Sequence, residues 1–450
     1  MHFETVSHAT LLLTPKGQAA PLLATDPWLF GSCYWRSWWL SNPPSEETIE
    51  RIGRSRYIYL THEHPDHFHV PTLRRLAPGG TVSEQTASER TGTAPTILVP
   101  DFLNMQMDAF LREELGYRVE RLAPDSWRDL GDGVRVMSLP YPNNDSVLLV
   151  DTPQALLIDL NDVKPRRGFL ARIGAQVRRI DKPRIALRSY SLAGPSNSYF
   201  VDGQRKPRLA AKNFVTAAQG QSSAVGADYF VPFASQAIFR RSDSAWANDF
   251  KVDYAALRHY WSGAPDLLPP YIRMDLDSFD YDAPDPRAYA QTPFTERQRA
   301  HVAEAEARER TESLSADDVA RLRQVLNEER FAMLALFANG IAFRVAGRRL
   351  VYDPRTGRIA DSDRHVSAQV DLPVGPFRDA VAFGHFSDLF IGLFGKIHMD
   401  HEEAISRFSL LYKILFLRDY GYGGVLKRLR WAVWAWRRLH PRVPLPPAAA

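Results

Sequence analysis

Residues 56–73, RYIYLTHEHPDHFHVPTL, set a short apolar strand directly against a cluster of imidazoles and carboxylates. Four of the chain's 13 histidines, His62, His64, His67 and His69, fall inside this segment. In an extended stretch, residues i and i+2 point the same way, so His62 and His64 can face one centre. Asp66 and His67 follow where the chain turns toward a helix begun near Pro71, and can aim at a second point beside the first. Imidazoles and a carboxylate converging past the end of a buried strand make a natural site for a divalent metal.

The surrounding sequence limits what such a site can belong to. A chain of 450 residues holds two or three globular units. With 45% hydrophobic and 24% charged residues it is composed like a folded protein, not a disordered one. Cys33 is the sole cysteine, which excludes a disulfide framework, a Cys₄ zinc site and a cysteine-ligated iron–sulfur cluster within this chain. A net charge of +4 is too small to argue for nucleic acid. The start, MHFETVSHATLLL, lacks the basic opening of a signal peptide, and no run reaches the roughly 18 apolar residues of a membrane span. The expectation is a cytoplasmic protein, with a peripheral membrane location as the variant.

Residues 1–260 alternate short apolar runs (ATLLL, YIYLTH, TILVP, SVLLV, ALLIDL, DYFVPFAS) with turn signals and helical stretches near 46–52, 71–76 and 103–115. That alternation reads as an α/β layered domain. Residues 261–312 read as a Pro- and Asp-rich connector ending in a charged helix. Residues 313–425 read as a smaller C-terminal α+β domain. It opens on a helix capped by Ser315 and continues through FAMLALFANGIAFRVAGRRLVYD as strands, then as helices to about Tyr422. Residues 426–450 form a basic tail rich in Trp and Arg. Leu426, Leu429, Val433 and Trp436 recur in it at helical spacing among Lys427, Arg428, Arg430, Arg437 and Arg438. Such a helix either docks on its own domain or contacts a membrane or protein surface, and its last residues are expected to fray.

The run His62-x-His64-x-Asp66-His67 after a strand resembles the H-x-H-x-D-H signature of the metallo-β-lactamase superfamily. Within it, DPWLFGSCYWRSWWL (26–40), NNDSVLLV (143–150), LIDLNDV (157–163), RSYSLAGPSNSY (188–199) and YFVPFAS (229–235) resemble the metallo-β-lactamase-like part of CMP-N-acetylneuraminate hydroxylases. His8-Ala9-Thr10 is similar to the opening of the branch containing ascorbate-phosphate lactonases. The resemblance implies an αββα sandwich. It implies one or two divalent ions, zinc or iron, held by His62, His64, Asp66, His67 and a bridging Asp162, with Asp159 as that residue's neighbour and alternative. Asp26 would support the metal loops, against a bare turn cap, and His8 would line the site, against a plain strand histidine.

The chain departs from that pattern in having no histidine between His69 and His259. Asn143, Asn144 or Asp145 occupies the place of the mid-domain ligand, and these harder oxygen donors favour iron, manganese or magnesium relatively more than zinc. Near the expected last ligand stand Arg240 and Arg241, read either as solvated charges or as contacts for an anionic substrate; His259 is an alternative ligand. His398 and His401 could share a helix face, and Ser189 and Ser191 have no histidine nearby in sequence to activate them. The Rieske centre of the hydroxylases needs two cysteines, so an oxygenase reading requires an external reductase.

Three functions follow. The first is a hydrolase, with Asp66 and His67 catalytic, that turns a metal-bound hydroxide on a phosphorylated or carboxylated sugar-like molecule. The second is an iron-dependent oxygenase, and the third a binding protein with a degenerate metal site.

Overall fold

The computed structural model describes residues 1–78, 94–284 and 293–440. The tail residues expected to fray, 441–450, lie outside it. Two mixed sheets face each other across the first unit. In the first sheet, Tyr57–Tyr59 is a parallel neighbour of both Leu23–Thr25 and Thr96–Pro100, and His2–Val6 pairs antiparallel with Thr10–Thr14. In the second, Leu156–Asn161 lies between Asp145–Asp151 and Arg184–Arg188, followed by Tyr229–Pro232.

Period-two alternation assigns the faces. Leu11, Leu13 and Leu98 meet Val136, Leu148, Val150 and Leu187 between the sheets. Leu12, Ile58, Ile97 and Val99 turn outward beneath helices Glu46–Gly53, Val70–Leu76 and Met107–Glu113. Leu139, Leu149 and Ile158 turn outward beneath helix Arg167–Val177. Strands covered on both faces can be apolar throughout, as TLLLT is. The layers are therefore helix, sheet, sheet, helix: the expected αββα sandwich.

The second unit is built on a seven-stranded sheet backed by helices Ala316–Glu328, Val374–Phe383 and Glu402–Leu417, with its own core around Phe343, Val370, Phe377, Ile397 and Phe408. Ser315 caps the first of these helices, as read from the sequence. The units interlock. Strand Tyr199–Val201, from the middle of the chain, pairs with Lys396–Met399 in the second unit's sheet. A small sheet of Ser32–Cys33, Trp38–Leu40 and Ala237–Phe239 is tied to it by Trp38 Nε1–H donating to Ile391 O at 3.1 Å.

Several expectations need correction. FAMLAL is a helix, Arg330–Leu336, and the strand starts at Ile341. A short apolar run cannot be divided between helix and strand by pattern, and Ala, Met and Leu are strong helix formers. The turn between them uses Gly340, at φ +96°, where an added Cβ would lie 2.5 Å from Tyr352 O. The stretch read as helical to Tyr422 contains strands Ala368–Leu372 and Lys396–Met399, stabilised by pairing with residues far away in sequence. The stretch read as a connector adds Asp266–Leu267 to the second sheet and Arg273–Asp275 to the first. His398 lies on a strand, 3.2 Å from Asp371, and His401 only precedes a helix, so the two share no helix face.

Arg240 and Arg241 are also placed differently from the expectation of an anion site. The Arg240 guanidinium lies over the Phe294 ring at 4.8 Å. Arg241 is buried and holds Asp243 and Glu309 in two-toothed pairs, with NH2 to Glu309 Oε2 at 2.7 Å. It thereby pins the charged helix Glu296–Thr311 to the sandwich. Removing one member of a buried ion pair leaves the other uncompensated. Arg241→Ala should therefore destabilise by about 3–5 kcal/mol, read as a lower urea midpoint of the first unfolding transition, and Arg241→Lys should recover little because it cannot make both forks.

Candidate metal centre

The Tyr57–Tyr59 strand delivers Thr61 and His62 beside the end of Leu23–Thr25, where the chain bends at Asp26 with φ +36°. Asp26 is fully buried and its carboxylate accepts four hydrogen bonds. The donors are Thr61 N at 2.8 Å and Thr61 Oγ1 at 2.6 Å, with His67 Nδ1 at 2.9 Å and Asn161 Nδ2 at 2.6 Å. It therefore ties the end of the first sheet to a strand of the second. It also fixes a tautomer: His67 carries its proton on Nδ1, which leaves the Nε2 lone pair free.

The same reasoning orients His62. Thr61 gives its only hydroxyl proton to Asp26, so it accepts from His62 Nδ1–H at 2.9 Å. The Nε2 lone pair of His62 then accepts His64 Nδ1–H at 2.8 Å, which leaves the His64 lone pair on Nε2. Burial pushes both imidazoles down, His64 to about 4, so both are neutral at pH 7. His67 Nε2 lies 3.4 Å from Asp66 and 3.5 Å from Asp162, and ligand atoms of His62, His67 and Asp162 lie within 4.8 Å of one another. His64 Nε2 and His67 Nε2 are buried without a hydrogen-bond partner.

These nitrogens fit a divalent cation, and so does the surrounding charge. Burial raises Asp145 and Asp159 well above the usual carboxylate range, and Asp162 adds to the rise at Asp145 as Asp26 does at Asp159. Burial opposes a charged His67, yet Asp66 and Asp26 drive its pKa up. Asp26, Asp66, Asp145 and Asp162 crowd one buried site, and a cation there would offset their charge.

His8 also reaches the centre, and His8, Asp66 and His67 form a second candidate ligand group. However, His8 Nδ1 accepts the backbone N–H of Gln236 at 3.1 Å, which puts the neutral ring's proton on Nε2. Nε2 lies 3.2 Å from Asp66 Oδ2 but outside hydrogen-bond geometry, and a ring protonated there is a poor ligand. The other Asp66 oxygen accepts Tyr34 O–H at 2.8 Å.

The remaining sequence candidates separate. Asp162 lines the cavity, whereas Asp159 stays in its strand and accepts Asn161 N. Asn144 is structural, accepting Tyr422 O–H at 2.8 Å and donating to Asn104 O. Asn143 lines the cavity with a buried, unpartnered Oδ1. Asp145 lines it too, with Oδ1 3.5 Å from His62 Nδ1. His69 caps helix Val70–Leu76 through Thr72 N, and His259 is exposed on helix Tyr254–Tyr260.

The centre floors a cavity of about 490 Å³. Its walls are mostly apolar and come from distant parts of the chain: Trp38 and Tyr141 from the sandwich, Tyr412 and Phe416 from the second unit, Trp431 and Leu439 from the C-terminal helix. Lys164, Arg166 and Lys413 stand exposed around it. Sequence reading missed these walls and also Tyr34. The available signal for Tyr34 was the aromatic run SCYWRSWW, in which Tyr34, Trp35 and Arg36 all take positive φ.

No family model matches the chain. It is 28% identical over 163 residues to a cytidine monophosphate-N-acetylneuraminic acid hydroxylase of Asterias rubens, covering 35% of this chain and 23% of that protein. It is 46% identical over 52 residues to the Sus scrofa protein of that name, 12% of each chain. The matches thus span under a quarter of the length of these curated relatives. Among solved structures, an isothiocyanate hydrolase from Delia radicum gut bacteria aligns over 61% of this chain and 99% of its own, with TM-score 0.41 and 14% identity. A variant of the CmlA beta-hydroxylase aligns over 52% of this chain and 45% of its own, with TM-score 0.36 and 16% identity.

Asp26→Asn exchanges one acceptor oxygen for a donor and loses the tautomer lock on His67. It should weaken zinc binding about 10–100-fold, measured by competition with a chromophoric chelator on the folded variant. Unchanged affinity would mean that the carboxylate does not orient the ligand.

Proposed function

We propose that this chain, a metallo-β-lactamase-fold protein partly similar to the CMP-N-acetylneuraminate hydroxylases, is a metal-dependent hydrolase of small anionic compounds. One observation carries the reading. His64, Asp66 and Asp162 line one cavity, and ligand atoms of His62 and His67 lie behind them, those of His62, His67 and Asp162 within 4.8 Å of one another. His62, His64, His67 and Asp162 would hold the cation, with Asp66 and Asp145 beside them. A divalent cation supplies Lewis acidity, polarising a substrate oxygen and lowering the pKa of a water.

The protein's own groups do the rest. Asp66, held by Tyr34 O–H, is the carboxylate set to take a proton from the attacking water and return it to the leaving group. Lys164, Arg166 and Lys413 draw in an anion. The sugar-like body suggested by the relatives would find few hydroxyl partners among Trp38, Tyr141, Tyr412, Phe416 and Trp431. A phosphate or carboxylate ester with an apolar body suits these walls better.

A second reading, an iron-dependent oxygenase fed by an external reductase, is favoured by Asp145. It puts a carboxylate where hydrolases of this fold carry a mid-domain histidine, and the site has more oxygen donors as a result.

The test is metal analysis of the purified protein with a panel of aryl phosphate, phosphodiester and carboxylate esters. Chelator-sensitive hydrolysis is expected, and Asp66→Asn should lower kcat by about a hundred- to ten-thousand-fold while metal content holds. Reductant-dependent oxygen uptake by the iron-loaded protein, with every ester left intact, would replace hydrolysis with oxidation.

A further inference from the structure

The C-terminal helix, Val425–Leu439, has two working faces. Its inner face closes the cavity with Trp431, Ala435 and Leu439. It is anchored there by Trp431 Nε1–H donating to Pro142 O at 2.6 Å, and by Arg172, which donates to Arg438 O at 2.7 Å. Its outer face is largely open among the described residues. Val425, Leu426, Leu429, Val433 and Trp436 are all exposed, Leu426 by 80%. At roughly 100° per residue these five fall inside an arc of about 100°, one continuous apolar stripe.

The stripe is extended at its first turn. Gly424 N–H and Arg428 both donate to Glu329 Oε1, at 3.3 and 2.6 Å. Arg418, paired with Glu328 at 2.7 Å, donates to Gly384 O at 3.3 Å. These ties gather the start of the C-terminal helix, the start of helix Arg330–Leu336 and the end of helix Val374–Phe383. From the same junction project Phe331 and Phe383, exposed by 80% and 75%. Large apolar side chains this bare, grouped and not scattered, mark a contact surface.

The charges identify the partner. Helix Val425–Leu439 has no acidic residue. Arg430 and Arg437 flank one edge of the stripe by the same helical count, and Lys427 is exposed beyond them. Apolar side chains and a tryptophan bordered by cations match the boundary between acyl chains and anionic headgroups. Among the described residues no helix is long and apolar enough to cross a membrane, so contact would be along the surface.

The geometry points to the outer face of this helix, with Phe331 and Phe383, as a docking surface for an anionic lipid bilayer. The cavity then lies directly behind the docked helix, within reach of amphiphilic anions. The docking is independent of what the metal centre does.

Flotation of the full-length protein with vesicles of phosphatidylcholine alone, or mixed with phosphatidylglycerol, tests this without any activity readout. Binding is expected to the anionic vesicles and to weaken as salt rises. Arg430→Gln with Arg437→Gln should lower that affinity about thirtyfold. Leu426→Glu with Trp436→Glu should abolish it while thermal stability and metal content stay at the parent's level. Failure of the parent to float with anionic vesicles would overturn the proposal. So would a concentration-dependent dimer in sedimentation that Leu426→Glu with Trp436→Glu dissolves, since a second copy would then cover the face.

Discussion

One carboxylate, Asp26, organises everything around it. It is fully buried, and ionised it would be intolerable there without partners; four hydrogen bonds satisfy it. Those bonds come from the loop after the Tyr57–Tyr59 strand, from His67 and from Asn161 on the facing sheet. The two halves of the sandwich are thus joined at the point where the site forms. The proton positions on Thr61, His62 and His67 follow from that single acceptor, so the directions of two lone pairs follow as well.

The sandwich supplies the candidate ligands but does not complete the cavity. Tyr412 and Phe416 belong to the second unit, and Trp431 and Leu439 to the C-terminal helix. Strand Tyr199–Val201 of the first half lies in the second unit's sheet, which fixes the two units' relative position through backbone hydrogen bonds. The second unit therefore helps to set the shape and polarity of the cavity.

Much of the αββα architecture was legible because its strands are covered on both faces, and short continuous apolar runs between turn signals express that directly. The histidine cluster was legible because its members are close in sequence and alternate in an extended stretch. Reading failed where local pattern was ambiguous, as at FAMLAL, or where long-range pairing decided the element, as at Ala368–Leu372 and Lys396–Met399. It also failed for Arg241, because the buried partners Asp243 and Glu309 that claim its charge include one 68 residues away. His69 and Asn144 show the same limit. Their types suit a site, but one caps a helix and the other holds Tyr422.

The sequence by itself determined which side chains could meet a cation. His62, His64, Asp66 and His67 are bound to one short loop, and covalent spacing keeps them within a few ångströms. Only the tertiary structure decided which atoms of those rings are free, that His8 accepts the backbone N–H of Gln236, and that aromatic residues from the last forty positions wall the cavity. Those outcomes depend on contacts between segments hundreds of residues apart. Their free energies arise from burial and shared hydrogen bonds once the sheets and the C-terminal helix have packed, and no local pattern in the chain encodes them.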